Sequence, residues 1–160
     1  MQAAGPVPIA ILSQATTDAS ILAHVRQTLE EFLLPSVERL IDRRDGLAET
    51  VRALEAGGVA IFIVANSTAT PLSTVVAGMT TKPVLAVPLE APDLPPLQAL
   101  QTTLQGGGAP VASLAIGKAG AINAALMAVA ILANTDAGLR QTLHRFRETQ
   151  TQKVLADRLD

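Results

Sequence analysis

Short runs of apolar residues alternate along the chain with segments in which apolar residues recur at helical spacing. Five runs predict strands, at residues 8–12, 36–41, 59–65, 83–89 and 111–116. The first of these is too apolar to face water on either side, and 59–65 predicts the central strand. The run 36–41 is more polar, which predicts a strand nearer an edge of the sheet.

Each segment between these runs predicts a helix with one apolar face. The faces are Ile21, Leu22, Val25, Leu29 and Phe32, then Leu47, Val51 and Leu54, then Leu72, Val75, Val76 and Met79, and then Leu97, Leu100 and Leu104. An alanine-rich helix follows, and a last helix from about 136 to 155 carries Leu139, Leu143 and Phe146 on one face. This alternation predicts one α/β domain over 1–160, a three-layer sandwich around a parallel sheet of about five strands with right-handed crossovers.

Composition narrows the functional classes. The 160 residues are 49% hydrophobic with a formal net charge of -2 and no basic block, so no nucleic-acid partner is expected. The chain has no cysteine and two histidines, which argues against disulfides and a zinc site, and no metal or cofactor is expected. The longest apolar run and the uncharged amino-terminal start predict no membrane span and no secretion signal, hence a cytoplasmic protein.

Four loops follow the predicted carboxyl ends of strands, where ligands of such sheets bind. They read SQATTD, DRRD, NSTATP and GKAGAIN. In the last loop, Gly117 and Gly120 around Lys118 permit close approach of an anion, with Asn123 in the first helical turn. Tight packing of the backbone explains the same two glycines, and the spacing alone favours this interpretation because isolated glycine patterns are weak evidence for a site.

The polar residues of two other loops also have two interpretations. Arg43 could hold a phosphate with its guanidinium fork, or it could belong with Arg39, Asp42, Arg44 and Asp45 to a solvated turn of alternating charge. The hydroxyls of Ser67 and Thr68, with that of Thr70, could donate to a ligand or cap the helix that follows.

The segment VASLAIGKAGAINAALMAVAILANTDAGLRQTLHRFRETQTQKVL, together with weaker matches along nearly the whole chain, resembles the PurE family of purine biosynthesis. That family contains the N-carboxyaminoimidazole ribonucleotide mutases and the aminoimidazole ribonucleotide carboxylases. The resemblance implies a flavodoxin-like core, an octamer, and a last helix that packs on a neighbouring subunit. It also implies a phosphorylated ribonucleotide ligand, held by Thr16, Thr17 and Asp18, by Arg43, and by the loop around Gly117.

Four loops depart from the family pattern. The family's first loop reads Gly-Ser-x-Ser-Asp, and its second reads Ser-Ala-His-Arg with the histidine in proton transfer; here Asp42, or Ile41, stands at the histidine position. The glycines and the histidine of the third loop are replaced by residues 66–72, and a covering Gln-Met-Pro loop by 104–106. An aspartate, with an ordinary pKa of about 4, is a poor substitute for histidine near neutral pH.

The sequence therefore supports three hypotheses. The favoured one is a catalytically degenerate PurE-family protein with a structural, regulatory or nucleotide-sensing role in a homo-oligomer. The others are an active mutase or carboxylase with a rearranged site, and an enzyme of different chemistry on a related phosphorylated ligand. The remaining histidines, His24 and His144, fall within predicted helices and are expected on helix faces rather than in a site.

Overall fold

A five-stranded parallel sheet organises the chain. The computed structural model describes residues 7–14, 18–68, 70–105 and 108–156. Its strands are β1 (Ile9–Ser13), β2 (Ser36–Leu40), β3 (Ile61–Asn66), β4 (Val84–Pro88) and β5 (Ala112–Ser113). Their order is β2-β1-β3-β4-β5, the flavodoxin-like order, so the predicted fold class is confirmed.

Helices cover both faces of the sheet. They are α1 (Ala19–Glu30), α2 (Leu47–Ala56), α3 (Leu72–Ala77), α4 (Pro96–Leu104), α5 (Gly117–Leu132) and α6 (Ala137–Ala156). Because side chains alternate along a strand, Ile9 and Ile11 join a core with α1, α5 and α6. Ala10 and Leu12 point the other way, into a core with α2 and α3.

The edge strands differ from the central ones as their composition predicts. Strand β2 is half-buried or exposed throughout, whereas β3 and β4 are buried at every position. Strand β5 is shorter than the predicted 111–116, since only Ala112 and Ser113 lie in register with β4. The amide of Leu114 still donates to the Ala86 carbonyl at 2.9 Å, and the chain then leaves the sheet to begin α5.

The predicted apolar face of α4 is wrong. Leu97 and Leu104 are 65% and 63% exposed, while Ala99 and Thr103 are buried. Small side chains let this short helix lie close to the sheet, and the hydroxyl of Thr103 donates to the Ala99 carbonyl at 2.9 Å. The third helix ends at Ala77, so Met79 lies beyond the helical face on which it was expected and is 38% exposed.

The last two helices have different roles in the protomer. Helix α5 buries a stripe of small residues against α1 and the sheet, including Ala121, Ala125 and Val129. Helix α6 buries only Leu139 and Leu143, and Phe146 meets Phe32 with ring centroids 5.2 Å apart. The part of α6 after Phe146 is exposed; its packing on a neighbouring subunit stays a prediction. Within the described part of the chain, no helix is both long and apolar enough to cross a bilayer.

Candidate functional site

A cavity of about 340 Å³ opens at the carboxyl end of the sheet. It lies among the start of α1, the loop after β4 and the start of α5, where doubly wound sheets bind ligands. Its described lining combines an apolar surface with two carboxylates, and consists of Asp18, Ile21, Leu89, Glu90, Ala91, Pro92, Ile116 and Gly117. The sequence predicted Asp18 and Gly117 at a common site, and the fold brings them together there.

Asp18 is the best-fixed of the predicted ligand residues. It is 3% exposed and immediately precedes α1, so its carboxylate lies near the positive end of the helix dipole. The Ser67 hydroxyl donates to Asp18 Oδ2 at 3.0 Å. This hydrogen bond joins the loop after β3 to the loop after β1, the two loops that flank the point where the strand order reverses.

Pro71, the residue before α3, offers no side-chain cap, and the hydroxyls of Ser67 and Thr68 do not cap the helix either. Both residues bond elsewhere. The Thr68 hydroxyl lies 3.0 Å from Gln14 Oε1 and 2.9 Å from the Thr70 carbonyl oxygen. The Ser67 and Thr68 hydroxyls, which were expected either to cap a helix or to donate to a ligand, instead form hydrogen bonds to side chains of the loop after β1 and to the Thr70 carbonyl.

Asn66 is a buried polar residue that sequence reasoning missed. Its side chain donates to Ser73 Oγ at 2.7 Å and to Thr103 Oγ1 at 3.1 Å, and its Oδ1 accepts the Ser73 amide at 3.1 Å. The amide of Ser73 belongs to the first turn of α3, so Asn66 supplies the cap from the end of β3. The available signal was a single polar side chain closing an otherwise apolar strand.

The glycine-rich loop before α5 divides between the two interpretations. Gly117 has a φ of +65°, a conformation that favours glycine, and lines the cavity. At Gly120 a Cβ atom would lie 1.7 Å from the Ala115 carbonyl oxygen, so this glycine serves packing. Lys118 and Asn123 are exposed and are not among the described residues that line the cavity.

The second loop has the geometry of a solvated turn. Arg43 Nη2 lies 3.6 Å from Asp45 Oδ2, with both side chains more than three-quarters exposed. Asp42 is also exposed, whereas Ile41, the other residue at the family histidine position, is buried. Neither Asp42 nor Arg43 is among the described lining residues, and Thr16 and Thr17 lie outside the described residues.

No histidine lines the cavity in the described part of the chain. His24 is half-buried within α1, and His144 is exposed on α6, as the sequence predicted. The described residues also contain no group of three or more histidine, cysteine, aspartate or glutamate side chains placed to hold a metal ion. Within the described part of the chain, the cavity therefore offers the carboxylates of Asp18 and Glu90 but no imidazole for proton transfer.

Comparison with known families decides the affiliation. Residues 8–153 match the family model described as AIR carboxylase. The chain belongs to this family. Two N5-carboxyaminoimidazole ribonucleotide mutases are similar to it along their lengths. The Brucella melitensis protein is 34% identical over 92% of this chain and 94% of its own, and the Escherichia coli K12 protein is 34% identical over 94% and 91%.

Solved structures agree on the fold. The crystal structure of Treponema denticola PurE superposes with a TM-score of 0.78 over 93% of this chain and 94% of its own, at 19% identity. The crystal structure of a Treponema denticola PurE2 variant gives 0.79 at 18% identity, with 92% of each chain covered. These matches support the α/β architecture described above.

Proposed function

We propose that this chain is a catalytically degenerate member of the AIR carboxylase family that retains a phosphorylated ribonucleotide as ligand. Its role is then structural, regulatory or nucleotide-sensing, within a cytoplasmic homo-oligomer related to purine nucleotide biosynthesis. The observation that carries this proposal is the absence of any histidine among the described residues of the cavity, in a fold and family otherwise retained. Moving a carboxylate on an imidazole ring needs a proton-transfer group that titrates near neutral pH.

A ligand can be retained even where the residue that transfers the proton has been lost. The first-turn amides of α5, a helix of 16 residues, have no partner within the helix and stand beside the cavity at Gly117. The proposed binding region also includes Thr16, Thr17, Asp18, Arg43, Ser67, Thr68, Lys118 and Asn123. Gly120, whose missing Cβ serves packing, belongs to this region through its backbone alone. Anion affinity from amides and an arginine does not depend on a proton-transfer residue, so the two can be lost independently.

The second candidate is an active mutase or carboxylase with a rearranged site. It is favoured by the names of the similar proteins, which are N5-carboxyaminoimidazole ribonucleotide mutases. The similarity to them covers almost their whole length. In this case Asp42 would have to take the position of the family histidine. The exposure of its side chain argues against this, because a proton-transfer residue needs a fixed place against the reacting group and Asp42 does not line the cavity in the described part of the chain.

One pair of measurements separates the candidates. Mutase and carboxylase activity is expected to be absent, or at least about 100-fold below that of a histidine-containing relative in the same assay. Calorimetry with aminoimidazole ribonucleotide and its carboxylated forms is expected to show weak binding. Arg43→Ala should remove that binding, and Arg52→Ala, at an exposed arginine of α2, should not.

Three other outcomes would contradict parts of this proposal. An activity within about tenfold of the relative, on protein free of host enzyme, would establish the second candidate. Absence of heat with every nucleotide tested would leave a purely structural role. Binding that survives Arg43→Ala unchanged would remove Arg43 from the site.

A further inference from the structure

The buried network around Asn66 joins four elements at the carboxyl end of the sheet. Asn66, Ser73 and Thr103 are 1%, 0% and 4% exposed. Both amide hydrogens of Asn66 have acceptors, on Ser73 of α3 and Thr103 of α4, and its Oδ1 accepts the Ser73 amide. The backbone carbonyl of the same residue accepts the Leu89 amide at 2.8 Å, at the end of β4.

The loop that approaches the cavity lies between two members of this network. The connection between β3 and α3 begins at Ser67 and ends at Pro71, and the Asn66 side chain bonds Ser73 just beyond its far end, so Asn66 ties the end of β3 to the start of α3. Ser67 directly follows Asn66 and donates to Asp18 Oδ2 at 3.0 Å, and Asp18 lines the cavity. A continuous series of contacts thus leads from Thr103 of α4 to the carboxylate at the cavity.

We infer that Asn66 is a positioning residue of the candidate site: its side chain ties the end of β3 to the start of α3, and this holds the next residue, Ser67, with its hydroxyl on the Asp18 carboxylate. A buried and fully bonded network specifies one geometry, because any rearrangement leaves a polar group without a partner in a water-poor interior. Its importance for ligand binding rests on the proposed function, whereas the orientation of Asp18 is a property of the protein alone.

A purely structural role for Asn66 makes a different prediction. In that case, loss of the side chain lowers the stability of the fold and frees the Ser73 amide but leaves Asp18 in its environment. The carboxyl ¹³C resonance of Asp18, measured without ligand, reports that environment directly. Exchange of the Ser73 amide with solvent reports the network itself.

The test compares Asn66→Ala with Ser67→Ala, which removes the donor to Asp18. The matched control is Thr28→Val, because the Thr28 hydroxyl is also buried and donates within α1, to the His24 carbonyl at 2.8 Å. Asn66→Ala should move the Asp18 resonance in the same direction as Ser67→Ala and accelerate exchange at Ser73 by about tenfold or more. Thr28→Val should do neither.

An Asp18 resonance that stays at its wild-type position in Asn66→Ala, while Ser73 exchange accelerates, would overturn the inference. Should Asn66→Ala fail to fold, Thr103→Val removes one contact of the same side chain, and a smaller shift in the same direction is expected; no shift would overturn the inference too. Where the wild-type protein binds aminoimidazole ribonucleotide, Asn66→Ala should also raise the Kd by about tenfold. If the wild-type protein does not bind it, the proposed ligand fails while the resonance still decides the role of Asn66.

Discussion

Leu33 ends the first helix in a backbone conformation that glycine adopts more easily. Its φ is +55°, and its side chain is 90% exposed. The surrounding hydrogen bonds are those of a Schellman motif, with the Leu34 amide on the Leu29 carbonyl at 3.1 Å and the Leu33 amide on the Glu30 carbonyl at 3.0 Å. These hydrogen bonds and the packing of the partly buried Leu34 hold Leu33 in the left-handed conformation. The exposed side chain of Leu33 itself gains little from packing.

Leu33→Gly is therefore expected to stabilise the protein. The left-handed conformation costs an L-residue about 1–2 kcal/mol, and glycine loses about 0.5–1 kcal/mol more backbone entropy on folding, so the net gain should be up to about 1 kcal/mol. Urea unfolding at a fixed protein concentration measures it. Leu33→Ala, which keeps a Cβ atom, is the control and should show no such gain; equal gains in both variants would contradict the strain argument.

Gly120 is the glycine whose replacement the packing forbids. A Cβ atom there would meet the Ala115 carbonyl oxygen at 1.7 Å and the Ala115 carbonyl carbon at 2.6 Å, so α5 and the chain before it would have to separate. Gly120→Ala should cost several kcal/mol, on the order of the larger core effects, or prevent folding. Gly138→Ala is the matched variant in α6, where the nearest atom, Asp136 Oδ1, is 3.4 Å away.

The two alanine variants should move in opposite directions in thermal unfolding. Glycine within an exposed helix is less favourable than alanine by about 1 kcal/mol, so Gly138→Ala should be neutral or stabilising. A Gly120→Ala protein with wild-type stability would show that the α5 start can relax. It would also reopen the interpretation of Gly120 as a residue kept for ligand approach.

At the scale of elements, the junction between α5 and α6 is closed by two side chains. Asp136 Oδ1 accepts the Leu139 amide at 2.9 Å and so caps the start of α6. Arg140 Nε and Nη2 donate to the Ala133 and Asn134 carbonyls at 3.0 Å each, satisfying groups that the end of α5 leaves without partners. The two caps fix the angle at which α6 leaves α5.

Arg140→Lys should cost about 1 kcal/mol, because a single ammonium group cannot reproduce the fork that reaches two carbonyls. Chemical unfolding measures the loss, with Arg145→Lys, at an exposed arginine of the same helix, as the control. Equal effects of the two lysine substitutions would show that the fork contributes nothing beyond a positive charge near the helix end.

The order of elements could be predicted from the sequence because apolar runs and helical periodicity respond to burial directly. The buried face of α4 could not be predicted, because Leu97 and Leu104 follow helical spacing but are exposed to solvent. Thr103 is buried instead, and its hydroxyl is hydrogen-bonded to Asn66 and to the Ala99 carbonyl. Distant partners also decide which residues of the candidate site could be predicted. Gly117 was predicted from its loop and Asp18 from the family resemblance, whereas Asn66 depends on partners 7 and 37 residues away, which no local pattern reveals.

At the scale of the whole molecule, one protomer leaves apolar surface uncovered on its last two helices. Helix α5 carries no charge after Lys118, yet Met127 is 45% exposed; on α6, Val154 and Leu155 are 73% and 72% exposed. A helix without charged residues is expected to be covered on every side, and within a single chain α5 is not. Coverage by neighbouring copies would meet this expectation, which is the arrangement that the family resemblance implies.

We expect the protein to be a stable homo-oligomer, most simply an octamer, and Met127→Glu to lower its mass in solution. The new charge would be desolvated in an apolar contact between copies, whereas within the protomer it stays exposed and the fold should survive. Ala125→Glu is unsuitable for this purpose because Ala125 is fully buried in the protomer core.

Light scattering with far-ultraviolet circular dichroism measures mass and fold together. Met79→Glu, at a methionine that is 38% exposed beyond α3, is the matched control and should keep the wild-type mass. A wild-type protein that stays near 16.5 kDa at micromolar concentration would contradict the oligomer, and dissociation only in Met79→Glu would move the interface to the opposite face of the sheet.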